Sequence, residues 1–201
     1  FTRHTDVHTV MFNLVSSQKG LALEPSAGSG HLVKVLEEGR PDLAVEAVEL
    51  DDRLDPVCAA VIEHDDFFSW VADKDKRYQV VFGNPPYVGW KDVGGATRIS
   101  AASVKDRYSD KGNLYHLFID RCADLLADNG ELVLIVPKEW LYTTSAAPLR
   151  AKLASQGALT HVVDCGEEKL FADASVPALL IFRWVKAAQQ GPVKFADGTH
   201  S

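Results

Sequence analysis

The chain has 201 residues, 46% of them hydrophobic and 24% charged, which suits a single well-packed globular domain with no apolar run near the roughly 20 residues that cross a bilayer. Its formal net charge of −7 excludes a surface that grips nucleic acid unaided, because nonspecific affinity comes from Lys and Arg neutralising phosphates. Cys58, Cys122 and Cys165 are odd in number, far apart and unaccompanied by CxxC or HxxxH, so they read as free core thiols and no metal site is expected.

The N-terminal FTRHTDVHTV has neither a basic n-region nor an apolar h-region, and the protein is expected in the cytoplasm with no membrane partner. Val7, Val10, Met11, Leu14 and Val15 recur at helical spacing and predict an amphipathic helix over 5–17, stopped by Gln18-Lys19-Gly20. Leu21-Ala22-Leu23 is a short buried strand, followed by EPSAGSG and a helix over 31–38. Glycines in such a loop let the backbone approach a ligand, and the first helical N–H groups favour an anionic group, here a carboxylate. Only Gly28-Ser29-Gly30 is present, so the dinucleotide GxGxxG is absent, and a tight turn with no ligand explains the glycines equally well.

A second strand over 43–50 carries Glu49 near its tip. An acidic residue about 20 positions after a glycine loop is placed to hold a ribose diol, although Asp51 and Asp52 beside it also fit a solvated strand end. The next crossover is short, and a third strand over 61–64 runs into Asp65-Asp66-Phe67-Phe68. Asp66 is placed to take an adenine amino group, to cap a helix over 67–72, or to do both.

Val80 to Val88 reads VVFGNPPYV. A buried strand runs into Asn84-Pro85-Pro86-Tyr87, and two prolines lacking N–H groups end the ladder with a rigid polar corner. In an open α/β sheet, that corner lies at the carboxyl edge of the strands where ligands collect. The following 89–111 lacks periodicity and is locally basic, with Lys91, Arg98, Lys105, Arg107 and Lys111, so it reads as a loop that closes over a polyanion or stays solvated. A helix over 113–127, a strand over 132–136, a helix over 147–154 and a final antiparallel pair over 159–165 and 176–184 complete the pattern. Residues 187–201 read as a polar tail leading to a further C-terminal region.

The motifs LEPSAGSG, VELDD, DDFFSW, GNPPYV, KGNLYHLF, NGELVLIVPKEWL and CGEEKLFADASVPALLIFRW, in this order, resemble the S-adenosylmethionine-dependent amino methyltransferases, and within them the TaqI-like DNA adenine-N(6) methyltransferases. The resemblance implies an α/β, Rossmann-like methyltransferase fold over 1–186: a mostly parallel seven-stranded sheet with an antiparallel edge strand and helices on both faces. It implies S-adenosylmethionine as cofactor. Glu24, Pro25, Ser26, Ala27, Gly28 and Gly30 would wrap its methionine part, Glu49 would hold the ribose and Asp66 the adenine amino group. Leu50 and Phe67 would pack on the adenine faces, and Asn84 would touch both cofactor and target.

The same resemblance makes Asn84, Pro85, Pro86 and Tyr87 the catalytic corner, with Tyr87 and Phe171 stacking on an adenine flipped out of double-stranded DNA. It also implies a target-recognition domain or specificity subunit outside this chain, and use on the nucleoid of a bacterium or archaeon in a restriction-modification system. RNA adenine or a protein glutamine presents a similar planar nitrogen, and a cofactor-binding module dependent on a separate specificity subunit is a further reading. The family's Thr-Pro is missing from the N-terminal region, so Thr5 and His8 receive no role.

Overall fold

The computed structural model describes residues 2–72, 74–108, 112–166 and 178–197, with side chains from Val7 onward. The elements run α1 (Thr2–Leu14), β1 (Lys19–Glu24), α2 (His31–Gly39), β2 (Asp42–Glu49), β3 (Ile62–His64), α3 (Phe67–Trp70), β4 (Tyr78–Gly83), α4 (Gly95–Ser100) and α5 (Ala102–Lys105). They continue with α6 (Leu114–Leu125), β5 (Leu126–Pro137), α7 (Ala147–Gln156), β6 (Gly157–Asp164), β7 (Leu179–Lys186) and β8 (Lys194–Asp197). The strands form one sheet in the order β3-β2-β1-β4-β5-β7-β6-β8. Strands β3, β2, β1, β4 and β5 are parallel, whereas β7 runs antiparallel to both β5 and β6.

Helices cover both faces, which is why the strands read as unbroken apolar runs rather than as alternating ones. In β4, Val80 and Phe82 join Met11 of α1 and Leu36 of α2 in one core, while Val81 between them joins Leu117 of α6 in the other. The period of two is present, and both of its phases are buried.

The sheet has eight strands among the described residues instead of seven, because β8 lies inside the stretch that reads as a tail. It pairs parallel with β6, from His161↔Lys194 to Asp164↔Asp197. All four of its residues are exposed, so backbone pairing places it and no apolar pattern marks it. The helix expected to run to 127 stops at Leu125, where the chain passes directly into β5 with Leu126 buried opposite Tyr78. The expected loop over 89–111 contains a 3-10 turn at Trp90–Asp92 and the short helices α4 and α5. Helices of four to six residues show too little periodicity to be read from sequence. Among the described residues, no helix is long and apolar enough to cross a membrane.

A charged residue of the central sheet ties its strands to the first helix. The Glu131 carboxylate of β5 accepts the Ser16 and Ser17 amides at 2.9 and 2.7 Å and the Arg183 Nε at 2.8 Å, which ties the end of α1 to β5 and β7. These donors hold the Glu131 carboxyl below its ordinary range despite burial. Removing one partner of a buried pair strands the other charge, so Glu131→Ala should lower unfolding stability by about 3–5 kcal/mol. Denaturant unfolding checks this, and a variant as stable as wild type would contradict the clasp.

Candidate active site

The site begins where β1 stops. After Glu24 the chain turns through Pro25 to Gly30, with Gly28 and Gly30 at φ 55° and 80°. Glycine at position 30 is doubly required, since a Cβ there would also lie 2.5 Å from the Cys58 Sγ. The loop docks on the end of β2: the Ala27 amide donates to the Val48 carbonyl at 2.9 Å, and the Gly28 amide donates to Glu49 Oε2 at 2.7 Å. Glu49 Oε1 accepts the Asp51 amide at 3.0 Å. Glu49 therefore shapes the glycine loop as well as facing the cavity described below.

The glycine loop is also tied to the Asn-Pro-Pro-Tyr corner. The Ser26 hydroxyl donates to the Asn84 backbone carbonyl at 3.1 Å. Beside this bond the Glu24 carboxyl is buried, with Oε1 accepting the Ser26 amide at 3.2 Å and Oε2 without a partner. Burial pushes this carboxyl well above the usual glutamate range, and the nearby Glu49 charge adds to the effect. A Cβ on Gly83 would lie 2.4 Å from Glu24 Oε1, so the glycine before Asn84 makes room for the acid.

Asp66 caps α3, with Oδ1 accepting the Phe68 and Ser69 amides at 3.1 Å each. Two hydroxyls from α4 complete its surroundings: Ser100 Oγ lies 2.6 Å from Oδ1, and Thr97 Oγ1 lies 2.6 Å from Oδ2. Phe67 is buried and stacks on Phe118 of α6 at 4.7 Å. In the corner, Asn84 Oδ1 accepts from the Tyr87 hydroxyl, which also lies 2.9 Å from the Ile135 carbonyl. Tyr87 meets Tyr115 edge-on at 6.0 Å, and burial raises its hydroxyl above the ordinary tyrosine range.

These residues surround one cavity of about 350 Å³. Of the residues singled out by sequence, Pro25, Ser26, Glu49, Leu50, Asp66, Phe67, Asn84 and Pro86 line it. Glu24, Ala27, Gly28, Gly30, Pro85 and Tyr87 are outside its lining, and Phe171 lies outside the described residues. Sequence reasoning missed Asp65, Val88, Asp92, Val93, Gly94 and Thr97, and also Leu114 and Phe118 of α6. The signal for α4 was the spacing of Thr97 and Ser100, which puts two hydroxyls on one face of a helical turn. Among the described residues of 89–111, no Lys or Arg lines this cavity. Four carboxylates, Glu49, Asp65, Asp66 and Asp92, line it without any Lys or Arg, and Arg98 spends its guanidinium on the carbonyls of Val93 and Trp90 at 2.9 and 2.8 Å.

The raised Glu24 carboxyl gives a pH signature of defined sign. An acid whose folded pKa exceeds its unfolded value holds more protons when folded, so its stabilising neutral form is complete below about 4.5 and is lost as pH rises through the raised value. Glu24→Gln removes that titration, and ligand-free variant should melt higher than wild type at pH 8 by roughly 2–4 °C while matching it near pH 4. Melting curves that stay parallel across this range would contradict the assignment.

The sequence profile of the Eco57I restriction-modification methylase family matches residues 40–171. The type II methyltransferase M.HincII of Haemophilus influenzae is 28% identical over 195 residues, a match covering 92% of this chain and 37% of that protein. M.TthHB8I of Thermus thermophilus is 29% identical over 187 residues, with coverages of 85% and 41%. This chain thus spans less than half the length of these relatives. Among solved structures, a Listeria monocytogenes chain described as a class I S-adenosylmethionine-dependent methyltransferase superposes with a TM-score of 0.76 at 18% identity, covering 98% of this chain and 67% of that one. A type I restriction-enzyme modification subunit from Vibrio vulnificus gives 0.74 at 15% identity, with coverages of 96% and 46%. The structural neighbours establish the class I methyltransferase fold, and because the profile match runs from before β2 to beyond β6, the chain belongs to the Eco57I restriction-modification methylase family.

Proposed function

We propose that this chain is the catalytic domain of a DNA methyltransferase that transfers methyl from S-adenosylmethionine to the exocyclic N(6) of an adenine flipped out of the duplex, within a restriction-modification system. One observation carries the reading: the glycine loop and the Asn84 corner open onto the same cavity and are joined by the Ser26–Asn84 bond. The cavity suits the cofactor on several grounds. Its volume falls in the roughly 300–1,000 Å³ range of small-molecule sites. Its carboxylate lining matches a ligand with ammonium and sulfonium charges; just outside that lining, Glu24 Oε2 is a buried polar atom without a partner, and a Cβ on Gly28 would meet nothing within 4 Å. Leu50 and Phe67 supply apolar walls for a purine.

Bound there, S-adenosylmethionine supplies a methyl group already activated by its sulfonium, so the chain's own task is alignment. The lone pair of an exocyclic amine is delocalised into its ring, which makes the amine a poor nucleophile. Accepting its two N–H bonds on the Asn84 amide oxygen and the Pro85 carbonyl favours a more tetrahedral nitrogen. The Tyr87 hydroxyl fixes that amide by donating to Oδ1, which keeps a second lone pair for the substrate. Pro85 and Pro86 hold the acceptors still, and such positioning is worth about 7–11 kcal/mol of barrier.

A base within a duplex cannot reach this corner and must flip out at a cost of a few kcal/mol. Stacking on the Tyr87 ring and on Phe171 would recover roughly 1–3 kcal/mol per contact. The net charge of −7 and the missing length relative to M.HincII support a target-recognition domain or specificity subunit outside this chain, so the full-length protein is the one to assay. Methyl incorporation into duplex DNA, RNA and protein tests the substrate class, and DNA is expected to be labelled. Asn84→Ala should nearly abolish turnover while keeping cofactor affinity within about tenfold, since the acceptor acts on the amine in the transition state. Normal turnover in that variant would end the proposed role.

A further inference from the structure

We infer that Thr97 and Ser100 of α4 are positioning residues that make the nucleoside end of this cavity selective for a purine bearing an exocyclic amine, acting through Asp66. The inference rests on the cofactor reading above and extends it to an element with no role there.

Asp66 Oδ1 receives three donors, from the Phe68 and Ser69 amides and the Ser100 hydroxyl, and is filled. Oδ2 receives one, from Thr97 Oγ1, and keeps a lone pair for a ligand. Asp66 and Thr97 both line the cavity while only 9% and 8% exposed. Because the Thr97 proton is committed to Asp66, the hydroxyl too shows the cavity only lone pairs. At Asp66 and Thr97, then, a ligand meets acceptors alone. An amino group satisfies these acceptors, whereas a purine with hydrogen at that carbon leaves them unpaired.

The hydroxyls belong to a braced piece of structure. Arg98 bonds the carbonyls of Val93 and Trp90, and its guanidinium lies 5.6 Å from the centre of the Trp90 ring. Val93 and Gly94, at the start of α4, line the same cavity. If Thr97 lost its hydroxyl, a water could take its place against Oδ2 and turn either a proton or a lone pair toward the ligand. The selectivity should then fade, and affinity for the amine should fall less than selectivity does.

The test uses the full-length protein and two probes, S-adenosylhomocysteine and its counterpart with an unsubstituted purine, in which hydrogen replaces the amino group and N1 keeps its lone pair. Calorimetric titration of wild type should favour the adenosyl compound by about 10- to 100-fold. Thr97→Ala should bring the ratio to within about threefold, Thr97→Ser should restore it, and Ser100→Ala should reduce it partially. The ratio of two ligands on one sample cancels any loss of folded protein. A wild-type preference that persists unchanged in Thr97→Ala overturns this inference and leaves the cofactor reading standing. Wild type that binds neither compound overturns both.

Discussion

Gly83 and Glu24 occupy neighbouring parallel strands, and the carboxyl fills the space that any side chain at position 83 would need. This contact requires β1 and β4 to lie side by side, with Leu23 opposite Val81. Everything at the site follows from that adjacency. The glycine loop leaves β1 and the Asn-Pro-Pro-Tyr corner leaves β4, so both emerge at one carboxyl edge, where open α/β sheets gather ligands. The Ser26 hydroxyl then closes the short remaining gap to the Asn84 carbonyl. Strands further apart in the sheet would carry the same two motifs to separate surfaces.

The buried acids divide by how completely they are satisfied. Glu131 is bonded by two amides, a hydroxyl and Arg183. Asp120 takes Lys152, Arg107 and the Tyr108 hydroxyl, which anchors the segment after α5 to α6 and α7. These are structural ties with their charges compensated. Glu24 is buried as deeply, yet it has one backbone donor, one orphaned oxygen and no cation. An uncompensated acid costs stability, and the fold tolerates it beside the cavity that would take a cationic ligand. Asp66 stands between the two cases: it is bonded enough to be held in place and open enough to receive one more donor.

Much of this was legible in the sequence for identifiable reasons. Strands β1 and β2 end in Glu24 and Glu49 and β4 stops just before Asn84, and long apolar runs followed by Gly, Pro or acidic residues mark strand tips plainly. The α6 stripe of Leu114, Leu117, Phe118 and Cys122 announces a helix. Other features depend on tertiary contacts that no local pattern carries. Strand β8 has no buried face, so only its pairing with β6 makes it a strand. Thr97 belongs to a helix of six residues and gains its place by meeting Asp66 across 31 positions of chain. Within 89–111, Asp92, Val93, Gly94 and Thr97 line the cavity, a placement that the segment's excess of cations gave no sign of. Tyr87 was read as a stacking ring, and its hydroxyl additionally holds the amide oxygen of Asn84.

A crystal structure of the full-length protein with S-adenosylmethionine would examine the shared cavity most directly. The account predicts the cofactor between Ser26, Glu49 and Asp66, with its sulfonium methyl directed at the Asn84 amide oxygen. Cofactor density on another surface, or a methyl turned away from Asn84, would contradict it.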